Sequence, residues 1–428
     1  MRLKRIPKIS TNIIPNQNNG IVSKTYEFEL ITPMFGGDVE SWKLNEKTPI
    51  RTQSLKGQLR FWWRTMQSET DCQKLLEKEN KIWGGNIGKD KDGIDINIQA
   101  PVRIAITKQT NLLFETIKPK YKKESREISG LGENSLSNYV LFPVVEDIKN
   151  EITIKLLVKA TFDVCVVYPK EFEPDVENTL KLWVLFGAVG ARGRRGCGSI
   201  YCEELLKGMN SLEDVSKFLF KFTSQKIKGP IDYPNLIGAK LYATKNARTV
   251  KSLLDKYSEF RQARTKREGD TPGRSFWPEP DAIRTISSDY HQPEHPDGVW
   301  FPRAIFGLPI ITKFNTSGSG KRDPDGCIEL KPHTSDDKEE RWPSPVFLKC
   351  SRLGNNEDVN LALILNQKFP DNMSLKGETC SKKLPTTANP NYQKDKKMIF
   401  DSDHPEKSLN GRTIFEAFAD HMELKEII

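Results

Sequence analysis

No histidine precedes position 291, no two cysteines form a C-x-x-C pair, and no run of about 18 apolar residues occurs in this 428-residue chain. Each absence removes a class of function. Without histidine, the first half lacks the side chain that most often serves as general acid or base. The seven cysteines, at positions 72, 165, 197, 202, 327, 350 and 380, are odd in number and irregularly spaced. Such usage points to reduced thiols and a cytoplasmic protein, not to a disulfide scaffold. His291 and His295 stand among prolines with no cysteine pair nearby and read as a solvated loop, not a zinc site. Asp92 and Asp95 are a pair, not the carboxylate cluster of a metal-dependent nuclease. Neither a metal nor a cofactor is therefore expected. Membrane spans are excluded, and Met1–Pro7 has no apolar core of the kind a secretory signal needs.

Acidic residues are missing from two stretches, and what fills them is informative. Between Glu46 and Glu69 stand Lys47, Arg51, Lys56, Arg60 and Arg64 with no acid among them. The same stretch predicts a helix from Thr52 to Met66, with Thr52 or Ser54 as N-cap. Leu55, Leu59, Trp62 and Met66 make its apolar stripe, and Lys56, Arg60 and Arg64 a basic stripe beside it. Trp62 is read as core, whereas Trp63 lies between the stripes and is open to either role. A helix exposed on its own normally mixes signs to gain i,i+4 pairs, so an all-basic stripe suggests an anionic partner.

The second stretch runs from Gly187 to Ile200 and contains five glycines and three arginines, Arg192, Arg194 and Arg195. Glycine lets backbone approach a ligand, and arginine presents a planar cationic fork that suits phosphate. The stretch lacks the Lys-Ser/Thr pair of a P-loop, and its glycine order reverses the dinucleotide fingerprint. It reads as a polyanion cradle; the alternative is a glycine-rich helix end with solvated arginines. The net charge of +9 agrees with a nucleic-acid partner.

Strand periodicity over Tyr26–Leu30, Ile94–Ile106, Ile152–Val158 and Ser199–Glu203 combines with helices over Thr52–Met66 and Pro174–Phe186. The order is β-α-β-β-α-β, the ferredoxin-like pattern, with residues 107–150 as a lysine-rich polar insertion that includes Lys118, Lys120, Lys122, Lys123 and Arg126. The expected class is α+β, with two tandem ferredoxin-like units, the second degenerate and carrying insertions. One domain spans 20–225 and includes the loop 187–200. The other spans 230–428, with a strand at Ile237–Ala243, a basic helix at Ala247–Lys266, strands at Pro345–Lys349 and Leu361–Leu365, a polar insertion at about 370–410 and a helix from Arg412 to Glu423.

Four motifs in this order carry a family resemblance: Thr32-Pro-Met-Phe-Gly-Gly37; Arg51-Thr-Gln-Ser-Leu-Lys-Gly-Gln-Leu-Arg-Phe-Trp-Trp-Arg64; Ile82-Trp-Gly84; and Gly187-Ala-Val-Gly-Ala-Arg-Gly-Arg-Arg-Gly-Cys-Gly-Ser199. Together they resemble the CRISPR-associated RAMP superfamily, and more narrowly the Cmr-type capping subunits of type III-B effector complexes. Ser275-Phe-Trp-Pro-Glu-Pro280 and Phe301-Pro-Arg-Ala-Ile-Phe-Gly-Leu-Pro309 resemble that family's second unit. The resemblance implies an RRM-like, non-catalytic subunit near the 3′ end of a guide RNA. Its implied partners are guide (CRISPR) RNA, target RNA and other RAMP subunits, including the backbone filament subunit and a second capping subunit. The RNA-facing residues would be Arg51, Lys56, Arg60 and Arg64 on the helix and Gly190, Arg192, Arg194 and Arg195 in the loop. Arg284 and Arg303 join them on the reading adopted here; the alternative pairs them with nearby acids such as Glu279 and Asp281. Trp277, Arg284 and Phe301–Pro309 are expected to dock a neighbouring subunit. The rival function is a RAMP-type endoribonuclease that processes guide precursor. A purely structural scaffold is the third possibility, and the acid-free helix argues against it.

Overall fold

The computed structural model describes residues 20–40, 42–89, 91, 93, 95–122, 127–129, 136–227, 229–264, 275–287, 298–314, 324, 326–333, 341–377, 381–384, 388 and 412–428. Alternation places Tyr26, Phe28 and Leu30 on the buried face of strand β1 (Ile21–Leu30). Helices α1 (Thr52–Thr65) and α2 (Cys72–Trp83) follow, and then the long strands β2 (Arg103–Ile117) and β3 (Ile154–Pro169). Helix α3 (Glu173–Phe186) leads through the glycine-arginine loop to the short strand β4 (Ile200–Tyr201), and α4 (Leu212–Thr223) comes next. The first sheet runs β4–β1–β3–β2, all neighbours antiparallel, and Met34–Phe35 pairs with Leu156 and Leu157 of β3.

The second half repeats this order. Strand β5 (Asn235–Thr244), helix α5 (Val250–Arg261), strands β6 (Val346–Arg352) and β7 (Asp358–Asn366), helix α6 (Ile414–His421) and strand β8 (Lys425–Glu426) form a sheet ordered β8–β5–β7–β6, again antiparallel. Between these elements lie the helix Glu279–Ser287 and a small sheet of Ile310–Lys313, Cys327–Pro332, Met373–Lys376 and Ser381–Lys383. The chain is thus α+β with several antiparallel sheets.

The two halves share their cores. Leu55, Leu59 and Trp62 of α1 and Trp183 and Phe186 of α3 belong to one apolar cluster with Phe28 and Phe162 of the first sheet and Leu241, Phe347, Leu361 and Leu363 of the second. Trp62 lies 5.1 Å from Phe347, ring centre to ring centre, and 6.0 Å from Phe186. Helices α1 and α3 are therefore sandwiched between two sheets, which explains why α3 is buried nearly all round in its last two turns. The opposite face of the second sheet (Tyr242, Leu348, Ala362, Ile364) packs on Leu253, Tyr257 and Phe418 of α5 and α6. Covered on both faces, β7 reads Leu-Ala-Leu-Ile-Leu from Leu361 to Leu365, a continuous apolar run.

Two sequence expectations change. Ile94–Ile106 is not one strand: Asp95–Ile98 pairs with Gly85–Lys89 as a separate ribbon. Residues 107–117 belong to β2, and Leu136, Val140, Leu141, Val144 and Ile148 pack into the core of the second half. The stretch 107–150 is thus only partly a polar insertion. Lys123, Arg126, Asp92, Ile94, His291 and His295 lie outside the described residues. Among the described residues no helix is long and apolar enough to cross a membrane.

Candidate nucleic-acid interface

The basic stripe of α1 is balanced from the next helix. Asp71 caps α2, accepting from the amides of Gln73 at 2.8 Å and Lys74 at 3.2 Å, and the helix delivers Glu79 to α1. Glu79 is buried, and one of its oxygens receives both the Arg60 Nε and, at 2.7 Å, an Arg64 guanidinium N–H. A second Arg60 N–H reaches the Gly84 carbonyl at 3.0 Å. Arg60 and Arg64, expected to meet phosphate, thus neutralise an internal carboxylate while staying partly exposed. Lys56 has no ion pair among the described residues. Burial, followed by the neighbouring Arg60 charge, pushes its ammonium pKa down. Trp63 is core: its ring is 2 % exposed and its indole N–H donates to Asp175 at 2.7 Å.

The loop arginines turn inward as well. Gly198, at φ +66°, brings the chain back on itself, and a Cβ there would sit 1.9 Å from the Val189 carbonyl oxygen. Arg192 donates to the carbonyls of Val140 at 3.1 Å and Tyr139 at 3.4 Å. Arg194 donates to the Ser344 carbonyl and stacks 4.7 Å from the Phe347 ring centre; burial, then Arg195, lowers its pKa to about 10. Arg195, 9 % exposed, donates to Val346 at 2.9 Å and lies 4.9 Å over Tyr257. The Leu348 amide returns a bond to the Arg194 carbonyl at 3.0 Å, and the buried Lys349 ammonium donates to the Gly187 carbonyl. These groups tie the loop to β6 and hold the two halves together. Arg192, Arg194 and Arg195, expected to cradle phosphate, act in this structure as a clasp within the chain.

Arg303 and Arg284 follow the alternative reading. Arg303 donates through Nε to the buried Glu279 at 3.0 Å and through its guanidinium to the Arg261 carbonyl at 2.9 Å. Arg284 pairs with Asp281 at 2.9 Å and stacks over Phe314. Trp277, Phe301, Ala304, Phe306 and Leu308 are buried within the chain, so they do not form a docking face.

Two of the predicted site residues, Arg51 and Gly190, meet at an open surface. A cleft of about 260 Å³ lies between the first turn of α1, the segment around Met34–Asp38 and the loop residues Ala188–Ala191. Arg51, not Thr52 or Ser54, is the N-cap of α1, with extended backbone and no capping side chain. Thr52 is diverted: its hydroxyl accepts from the Ile106 amide at 3.3 Å. The first turn therefore faces the cleft uncapped and without an acid, the arrangement that favours an anion. Arg51 is 41 % exposed, with Asp38 at 4.0 Å as its ion-pair partner. Ser54 and Gln58 add hydrogen-bonding side chains to the wall. Gly190, at φ +76°, makes the opposite wall: a Cβ would stand 2.6 Å from Met34 Cγ and 2.9 Å from the Phe35 carbonyl oxygen. The Ala191 amide donates to that same oxygen at 2.8 Å and locks the wall in place.

On the outer face of the first sheet Glu27 stands opposite Asp163 across β1 and β3, with Glu29 on the same face. The sequence offered Thr52 or Ser54 as N-cap, so neither the uncapped turn nor Asp38 nor the cleft had a sequence signal. Among the described residues no three His, Cys, Asp or Glu side chains gather as metal ligands.

Comparison with known proteins adds the following. The family model of the RAMP superfamily matches residues 27–201. No curated protein matches the sequence. Among solved structures, the chain is similar to Cmr1 from Pyrococcus furiosus in its apo form, with 18% identity, a TM-score of 0.45, and 85% of this chain and 94% of that one covered. It is also similar to a chain of the Type III-B Cmr-beta complex bound to cognate target RNA and AMPPnP, with 12% identity, a TM-score of 0.39, and 80% of this chain and 94% of that one covered. A further structure of Cmr-beta bound to cognate target RNA gives 11% identity, a TM-score of 0.37, and 86% and 97% coverage.

Proposed function

We propose that this chain, matched over residues 27–201 by the RAMP-superfamily model, has a non-catalytic RNA-binding role in a type III-B CRISPR ribonucleoprotein. The chain would cap that assembly near the 3′ end of the guide RNA and contact guide and target RNA together with neighbouring RAMP subunits. Both halves would be ferredoxin-like units, a reading supported by their identical strand order, β4–β1–β3–β2 and β8–β5–β7–β6. The observation that carries the proposal is the cleft: an uncapped helix start, Arg51 and a glycine wall face one open groove within the matched region. Lys56 is the next cation along α1 and lies outside the lining of the cleft. Backbone amides and a few cations bind phosphates without reading sequence, and a guide-carrying particle needs that tolerance.

Single-stranded RNA binding should weaken with salt by about 0.7 in log–log slope per phosphate neutralised. Replacing Arg51 and Lys56 by alanine should therefore flatten the slope by about 1.4. Binding by the folded double variant with the wild-type slope would move the interface elsewhere. To test the assembly role, RNA recovered with the tagged chain from cells expressing a type III-B system would be sequenced; enrichment of guide RNAs is expected, and their absence would refute that role. The endoribonuclease alternative predicts site-specific cutting of guide precursor by the purified chain. The proposed reading predicts none.

A further inference from the structure

The cleft exceeds what a phosphate requires, and its walls are of mixed chemistry. A water molecule's share of liquid volume is roughly 30 Å³, so the space of about 260 Å³ holds a group several times larger. Apolar faces come from Met34, Ile50, Leu55 and Val189, all buried side chains that present a dry surface. At the rim stand Arg51, whose exposed guanidinium can lie flat on a ring, and Asp38, whose carboxylate accepts at 2.8 Å from the Val39 amide through one oxygen. Phosphate does not prefer apolar walls, and a carboxylate repels it. A planar heterocycle bearing N–H donors on its edge satisfies all three features: apolar walls, a stacking cation and a fixed acceptor.

We propose that this cleft receives one unpaired RNA base, with its phosphate at the uncapped start of α1 and its pairing edge toward Asp38. The proposal rests on the RNA-binding reading above and deepens it. The second oxygen of Asp38 selects bases that carry an amino group (guanine, adenine, cytosine). Uracil places carbonyl oxygens on either side of its single N–H, and these face the carboxylate unfavourably. Guanine, with adjacent N1–H and N2–H donors, is the preferred occupant.

The test uses the full chain and fluorescently labelled oligouridine of one length, in which one central residue is uridine, guanosine or abasic. The guanosine oligomer is expected to bind roughly tenfold tighter than the uridine oligomer, the size that one hydrogen bond to a charged acceptor provides. The abasic oligomer should bind no better than the uridine one. Asp38→Asn should erase the preference for guanosine, and Ser54→Phe, an exposed position on the rim, should block the cleft and do the same. If all three oligomers bind alike with a salt dependence that Arg51→Ala reduces, the base pocket is wrong and the phosphate-binding reading stands. If the preference for guanosine survives in folded Ser54→Phe, the base sits elsewhere and the proposal is overturned. Salt-insensitive or absent binding of every oligomer would remove the underlying RNA-binding reading as well.

Discussion

Replacing Arg195 by alanine separates the clasp from the cradle. In the structure its guanidinium donates to the carbonyls of Val346 at 2.9 Å and Arg194 at 3.1 Å, and it lies 4.9 Å over Tyr257. Hydrogen bonds with a charged donor contribute about 1.5–3 kcal/mol each, and a desolvated cation–π contact about 2 kcal/mol. Against these stands the cost of holding a guanidinium away from water, several kcal/mol. The difference leaves a net loss of about 3 kcal/mol on truncation, with two buried carbonyls left without that donor. Urea unfolding followed by tryptophan fluorescence should show an earlier midpoint, with the junction of the two halves opening first. RNA-binding measurements on the same variant, below its unfolding range, should give the wild-type salt slope. A variant as stable as the parent whose slope is flatter by about 0.7 would mean that Arg195 faces phosphate, and the clasp reading would fall.

Glu79→Ala strands two guanidinium groups on α1 and should cost about 3 kcal/mol of stability without weakening RNA binding, as urea denaturation and fluorescence anisotropy would show. Burial pushes the Lys349 ammonium from 10.5 down to about 7, so between these values the unfolded chain binds a proton that the folded chain does not. Stability should therefore rise with pH across that window, and Lys349→Met should remove the rise in thermal-melt measurements at a series of pH values. Burial also drives the thiols of Cys197 and Cys350 up to about 12. Native alkylation read by mass spectrometry should label the exposed Cys72 and Cys327 first and spare the buried Cys197.

Periodicity carried much of the architecture. The apolar stripe Leu55, Leu59, Trp62 and Met66 is buried as its spacing requires, and alternation in β1 placed Tyr26, Phe28 and Leu30 inside. Both follow from local geometry, because helix and strand repeats decide which side chains share a face. The fate of the cations did not follow from local geometry. No local rule links Arg60 and Arg64 to Glu79, since the carboxylate arrives on another helix. Nor could spacing foresee that Arg194 and Arg195 would spend their donors on the carbonyls of Ser344 and Val346, since every residue has a carbonyl and the sequence does not mark which one is near. An arginine's charge is written in the sequence, but whether water, a phosphate or the protein's own backbone answers it depends on which segments the fold brings within 3 Å. Here the tertiary structure turned most of the candidate site cations inward and left Arg51 and the glycine wall at Gly190 for the groove.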